Sequence, residues 1–155
     1  MIQNETITNI LTRVTVRRFT DEPVSDEALH ILLQAAMAAP SSMNLQPWHF
    51  IVVRDETVKQ CLKDCLPYAK MINRGCTGIV VCGDISLYEH INEVDKEDNT
   101  LYWVQDCSAA SENLLLAAHA IGLGAVWTGI YPLESRVGKL RELLAIPAHI
   151  VPLNL

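Results

Sequence analysis

Ala39-Pro40-Ser41-Ser42-Met43-Asn44-Leu45-Gln46-Pro47-Trp48 stands between a segment patterned as a helix and one patterned as a strand. Ala39-Pro40 ends the helix, because proline disfavours helical backbone in the residue before it and lacks the N–H that would continue the ladder. Two serines, an asparagine and a glutamine follow before the second proline. Short hydrogen-bonding side chains on a stiff turn can line the polar edge of a planar ligand. They are also ordinary turn residues, and on this stretch alone that reading prevails.

Working outward, Ile7, Ile10, Leu11 and Val14 recur at helical spacing and predict an amphipathic helix over residues 5–14. Ser25 caps a second helix, with Asp26 and Glu27 at its positive end and a buried stripe of Leu29, Leu32, Leu33 and Ala36. Trp48 to Val53 reads as a strand, and Asp55 then caps a helix carrying Val58, Cys61, Leu62 and Cys65. Gly78 to Ile85 reads as a buried strand. Residues 86–99 are acidic and weakly periodic, which predicts a surface excursion. A helix over 103–121 is apolar on several faces and therefore central. Ala125 to Tyr131 is expected as a third strand, Pro132 to Leu144 as a helix, and His149 to Leu155 as a fourth strand. The pattern, without repeats or linkers, is one α+β domain over residues 1–155: helices around a small, mostly antiparallel central sheet.

The bulk numbers narrow the function. A chain of 155 residues, 50% hydrophobic and 19% charged, is long enough to bury a real core. A net charge of −6 argues against a nucleic-acid binder, since the one dense basic cluster is Arg13, Arg17 and Arg18. No apolar run approaches about 18 residues, so no membrane span is expected. Met1-Ile2-Gln3-Asn4-Glu5 lacks the regions of a signal peptide. Five scattered cysteines read as reduced thiols, so a cytoplasmic protein is expected. Cys61 and Cys65 have no second pair, and the five histidines show no ligand spacing, so no metal site is expected. Gly122 and Gly124 follow a helix and precede an expected strand, the reverse of the dinucleotide-binding order, and Trp127 replaces the third glycine. Ser41 and Ser42 lack the glycines of a nucleophile elbow. Asp106, near the start of the long helix, reads as structural.

Three segments in this order carry a joint signal: Arg13-Val14-Thr15-Val16-Arg17-Arg18-Phe19, the Pro40–Trp48 turn, and Gly122-Leu123-Gly124-Ala125-Val126-Trp127-Thr128-Gly129. With Tyr102-Trp103-Val104-Gln105-Asp106 and the helix that follows, the chain resembles the FMN-dependent nitroreductase family over nearly its whole length. The resemblance implies a three-layer nitroreductase-like fold and a homodimer with FMN at the subunit interface. It also implies ping-pong transfer from NADH or NADPH to nitroaromatic, quinone or similar acceptors.

By the same resemblance Arg13, Thr15 and Arg17 contact the phosphate and the pyrimidine edge of the flavin, as guanidinium chemistry suits. Val14, where many relatives carry a polar residue, contributes only its backbone. Without the resemblance, Arg13 and Arg17, four apart, would simply complement the end of the first helix. The turn Pro40, Ser41, Ser42, Met43 and Asn44 is expected to pack on the flavin across the subunit boundary. Asn44 is its best hydrogen-bonding candidate, and Gln46 is either a further contact or structural. Trp127, Thr128 and Gly129 are expected near the ring, Gly129 through a main-chain N–H at N5, with a core role open for Trp127. No side chain is expected to be catalytic, because the flavin carries the chemistry. Tyr88, Tyr102 and Trp103 are where acceptor selectivity is expected to reside. Relatives usually continue beyond the position of Leu155 into a basic, phosphate-binding tail, so this sequence is expected to be either a truncated chain or a short member of the family. Two alternatives stay open: flavin storage or sensing without turnover, and a dehalogenase or flavin-fragmenting enzyme on the same fold.

Overall fold

The computed structural model describes residues 4–155. The first three residues of the Met1–Glu5 stretch lie outside the described residues. The elements in order are α1 (Glu5–Thr12), α2 (Asp26–Met37), a 3-10 turn (Ser42–Asn44), β1 (Trp48–Val53) and α3 (Glu56–Cys65). They continue with β2 (Gly78–Asp84), a 3-10 turn (Ile85–Tyr88), α4 (Glu89–Asp95), α5 (Tyr102–Ala120), α6 (Glu134–Leu144) and β3 (Ile150–Asn154). Side chains fix the helix starts. Asn4, Ser25 and Asp55 each accept a bond from an N–H in the first turn of α1, α2 and α3, a cap worth about 1 kcal/mol.

The sheet is antiparallel in the order β1-β2-β3. Trp48 pairs with Gly83 and Val53 with Gly78, while the β2–β3 register shifts between Val81 and Cys82. The α5 helix packs against the sheet, and α2 packs along α5. Gly83 makes that approach close, because a Cβ there would lie 2.5 Å from Cε3 of Trp103 and 3.2 Å from Sγ of Cys107. Pleat alternation turns Val80 and Cys82 to the other face, the side of α6. Arg141 of α6 donates to the carbonyls of Ala148 (2.6 Å) and Ile150 (3.2 Å), pinning it to β3, and α3 packs on α6. This is the expected α+β arrangement, with helices on both faces of a small antiparallel sheet.

Four expectations need correction. The first helix stops at Thr12, so Arg13 and Arg17 share no helical face. No residue of α1 is buried. The stretch 86–99 is more than a surface excursion, since it contains α4 and places Tyr88 (0% exposed) and Ile91 in the core. Ala125 to Tyr131 does not form a regular strand. It makes one isolated bridge, Gly129 to Asn154, because its hydrogen bonds are divided. The Ala125 carbonyl accepts from Val16 N–H at 2.9 Å, whereas Thr128 exchanges bonds with Leu155. The final helix begins at Glu134 rather than Pro132. Leu32 and Ala36 of α2 are buried, while Leu29 and Leu33 are half-buried.

Candidate functional site

The central helix α5 anchors two of the three signal segments at different points. At Glu112 it meets Arg13, whose Nε lies 3.6 Å from Oε1. One turn further, Asn9 donates to the Leu116 carbonyl (3.0 Å), and two turns further the Thr12 hydroxyl meets Nε2 of His119 (2.9 Å). At Asp106 it holds the Pro40–Trp48 turn, where both carboxylate oxygens accept from Ser42 N–H, at 3.0 and 3.1 Å. Asp106 and Glu112 are six residues apart on the helix, roughly 9 Å along its axis. Sequence reading places Asp106 correctly as structural but misses that it serves the turn. An acid within the buried stripe of Trp103, Cys107 and Ala110 is the signal, since a buried carboxylate must be hydrogen-bonded.

The turn is strained. Met43 (φ 49°), Asn44 (φ 57°) and Gln46 (φ 51°) all adopt left-handed backbone, which costs non-glycine residues roughly 1–3 kcal/mol each, less for asparagine. Local bonds hold it. Gln46 N–H donates to Oγ of Ser41 (2.9 Å), Asn44 N–H to the Ser41 carbonyl (3.1 Å) and Leu45 N–H to the Ser42 carbonyl (3.0 Å). The Gln46 side chain donates to Oδ1 of Asn44 at 3.1 Å. The Asn44 amide N–H groups therefore have no partner among the described residues, and the side chain is exposed. Pro47 and Trp48 are buried and belong to the core.

The third segment runs beside the first. Val16 packs on Gly124, where a Cβ would meet Val16 at 2.8 Å. Thr15 and Arg17 are exposed, and Arg17 forms no hydrogen bond or ion pair with a described residue. Thr128 is buried, its N–H and hydroxyl both bound to the Leu155 carbonyl. Trp127, 37% exposed, is not a core aromatic. Ile130 N–H donates to Leu153, so the N–H of Gly129 between these bonds has no partner among the described residues. Nothing lies within 4 Å of where a Gly129 Cβ would be. Arg136 steadies this edge by donating to the Gly129 carbonyl at 2.7 Å while stacking 5.1 Å from the Tyr68 ring centroid.

The 13–17 and 125–129 segments thus lie together, but neither is hydrogen-bonded or ion-paired to the Pro40–Gln46 turn of the same chain. A cleft of about 780 Å³ opens between Val16, α2, the 71–79 loop and residues 122–128. Of the candidate residues only Trp127 and Thr128 line it. Among the residues proposed for selectivity, Tyr102 is exposed but Trp103 is 2% exposed and stacks edge-on to Tyr131 at 4.9 Å. Trp103 and Tyr88 are core residues. Among the described residues no cluster of His, Cys, Asp and Glu could hold a metal ion, and no helix is long and apolar enough to cross a membrane.

The model of the Nitroreductase family matches residues 10–74 and 63–153. The chain belongs to the nitroreductase family. A Methanothermobacter thermautotrophicus relative, provisionally named an NADH dehydrogenase/NAD(P)H nitroreductase, is 45% identical over 145 residues, covering 94% of this chain and 71% of the relative. A crystal structure of a protein with the same provisional name from Parabacteroides distasonis superposes with a TM-score of 0.87 at 43% identity, covering 98% of this chain and 84% of that one. A Desulfovibrio desulfuricans protein, provisionally a nitroreductase and solved in complex with FMN, superposes with a TM-score of 0.80 at 33% identity. That match covers 99% of this nitroreductase-family chain and 84% of the other.

Proposed function

We propose that this chain forms a homodimeric, FMN-dependent oxidoreductase that takes electrons from NADH or NADPH and passes them to nitroaromatic, quinone or similar acceptors. The observation that carries the reading is the unpartnered Gly129 N–H on an exposed edge of the segment that bonds, at Ala125, to the one carrying the free Arg17 cation. The names of the relatives, an NAD(P)H nitroreductase and an FMN complex, support it.

The donor set fits FMN. Arg17 is free for a phosphate, and Arg13 is held only by a half-exposed ion pair to Glu112, worth at most about 1 kcal/mol, which a bidentate phosphate contact outweighs. Gly129 N–H is a rigid donor held by the bonds on either side of it, and the Asn44 amide is a second. When bound, FMN supplies hydride acceptance and return at N5, in a ping-pong cycle. The chain's own residues bind and orient: the arginines hold the anionic end, Gly129 and Asn44 donate to the ring edge, and Ser41 and Ser42 shape the turn. Pro40 and Met43 supply apolar surface, Gln46 braces Asn44, and Trp127 lies exposed beside Gly129.

The separation of the segments supports dimerisation. Within one chain the turn has no hydrogen bond or ion pair to residues 13–17, and a second copy would bring it to them. The α1 helix offers an apolar face for that contact, with Ile7, Ile10 and Leu11 exposed by 51, 47 and 78% and Val14 just beyond it by 64%, an unusual display for a folded monomer. All five cysteines are free thiols, which supports a reducing, cytoplasmic setting.

Titration of FMN into flavin-free protein, followed by flavin fluorescence, tests the reading. Stoichiometric quenching that weakens about tenfold or more in Arg17→Ala is expected. Failure to bind FMN, or binding indifferent to both Arg17→Ala and Asn44→Ala, would overturn it.

A further inference from the structure

We infer that Asp106, backed by Tyr88, is the positioning residue that holds the Pro40–Asn44 turn in its ligand-presenting conformation. The inference rests on the reading above that this turn contacts the flavin.

Asp106 is 6% exposed, and its bonds come from outside its own helix turn. Both oxygens accept from Ser42 N–H, and Oδ2 also accepts from the Tyr88 hydroxyl at 2.6 Å. Tyr88 is fully buried, and Arg13, Arg54 and Lys59 are the described cations with ion pairs, none of them to Asp106. A buried carboxylate satisfied by neutral donors is costly unless the geometry is fixed, and hydrogen bonds to it are correspondingly strong. That strength is spent at one place: the Ser41–Ser42 peptide, one residue ahead of Met43 and Asn44, the two consecutive left-handed residues. Without the clamp, the chain from Ser42 to Gln46 relaxes toward ordinary backbone, and the Asn44 amide leaves its direction. Tyr88 makes the clamp stiff. Its phenol fills the core under the 85–88 turn and fixes which way Oδ2 points.

The test is a double-mutant cycle on FMN affinity, with apo-protein melting measured alongside. Asp106→Asn keeps size and burial but replaces one acceptor oxygen with a donor. The expected result is FMN affinity weakened roughly tenfold or more at a temperature where the variant is fully folded. Tyr88→Phe is expected to weaken it less. In the double variant Asp106→Asn/Asn44→Ala, the losses should not add, because Asp106 acts through Asn44. Additive losses overturn the inference, as does an Asp106→Asn protein that melts earlier yet binds FMN normally. If Asn44→Ala alone leaves FMN binding unchanged, the reading of the turn as a flavin contact fails instead. Should Asp106→Asn not fold, Tyr88→Phe with and without Asn44→Ala gives the same cycle.

Discussion

Replacing Gly83 with alanine should disturb the protein more than its single methyl suggests. The added Cβ would lie 2.5 Å from Cε3 of Trp103, about 1 Å inside normal carbon contact. The ring has no room to yield. It is 2% exposed, it stacks against Tyr131, and Cys107 sits 3.2 Å from the same point. The strain must therefore lift the first turns of α5 from the sheet. Overpacking of this kind costs about 1–3 kcal/mol, which for a chain of this size is a fall in Tm of roughly 2–12 °C. Those turns carry Asp106, so FMN affinity should fall with stability. Gly138 is the matched control: it lies within α6, and a Cβ there meets nothing within 4 Å. Gly138→Ala should raise stability by about 0.5–1 kcal/mol, because alanine favours helix. Urea unfolding of both variants decides the matter. An unchanged midpoint for Gly83→Ala, or a lowered one for Gly138→Ala, would refute the packing argument.

Three further outcomes are expected. Gly129→Ala should melt like the parent, since its Cβ enters open space, yet bind FMN more weakly; parental FMN affinity would count against close approach at that edge. Leu11→Glu, at a residue 78% exposed, should leave a folded monomer in sedimentation velocity, and a persistent dimer would exclude α1 from the interface. Burial pushes the thiols of Cys82 and Cys107 from 9.0 to about 12, so both should resist alkylation at pH 8 while half-buried Cys61 reacts. Because these folded values exceed the unfolded ones, the stabilisation is complete below pH 9 and is lost as pH rises through about 12. Stability should fall by up to about 1.4 kcal/mol per pH unit per thiol in that window. Rapid alkylation of Cys107, or a urea midpoint flat to pH 11, would contradict this.

Much of the fold was legible in the sequence because its signals are local. Ser25 and Asp55 cap where capping chemistry places them, Pro40 stops α2, and the many-sided apolar pattern of 103–121 marks the central helix, observed at Tyr102–Ala120. What escaped was long-range. Residues 125–131 have strand composition, but Val16 and Leu155 compete for their backbone groups, and no local pattern reports that division. The stripe of α1 was legible as amphipathic, but periodicity cannot tell a core face from a face left for a partner. Tyr88 and Trp103 were expected to set acceptor selectivity because the acidic residues around 86–99 masked where the chain turns inward. In the candidate site, the turn was singled out by its residue types and Gly129 by the family resemblance. The Asp106 clamp was not, since its partner lies 64 residues away.

The most direct measurement is the absorption spectrum of the FMN-reconstituted protein under anaerobic conditions, before and after adding NADH or NADPH. The account predicts flavin bands that bleach on addition of nicotinamide and return when a quinone or nitroaromatic is supplied. Flavin that binds but stays oxidised with both nucleotides would contradict the reductase reading.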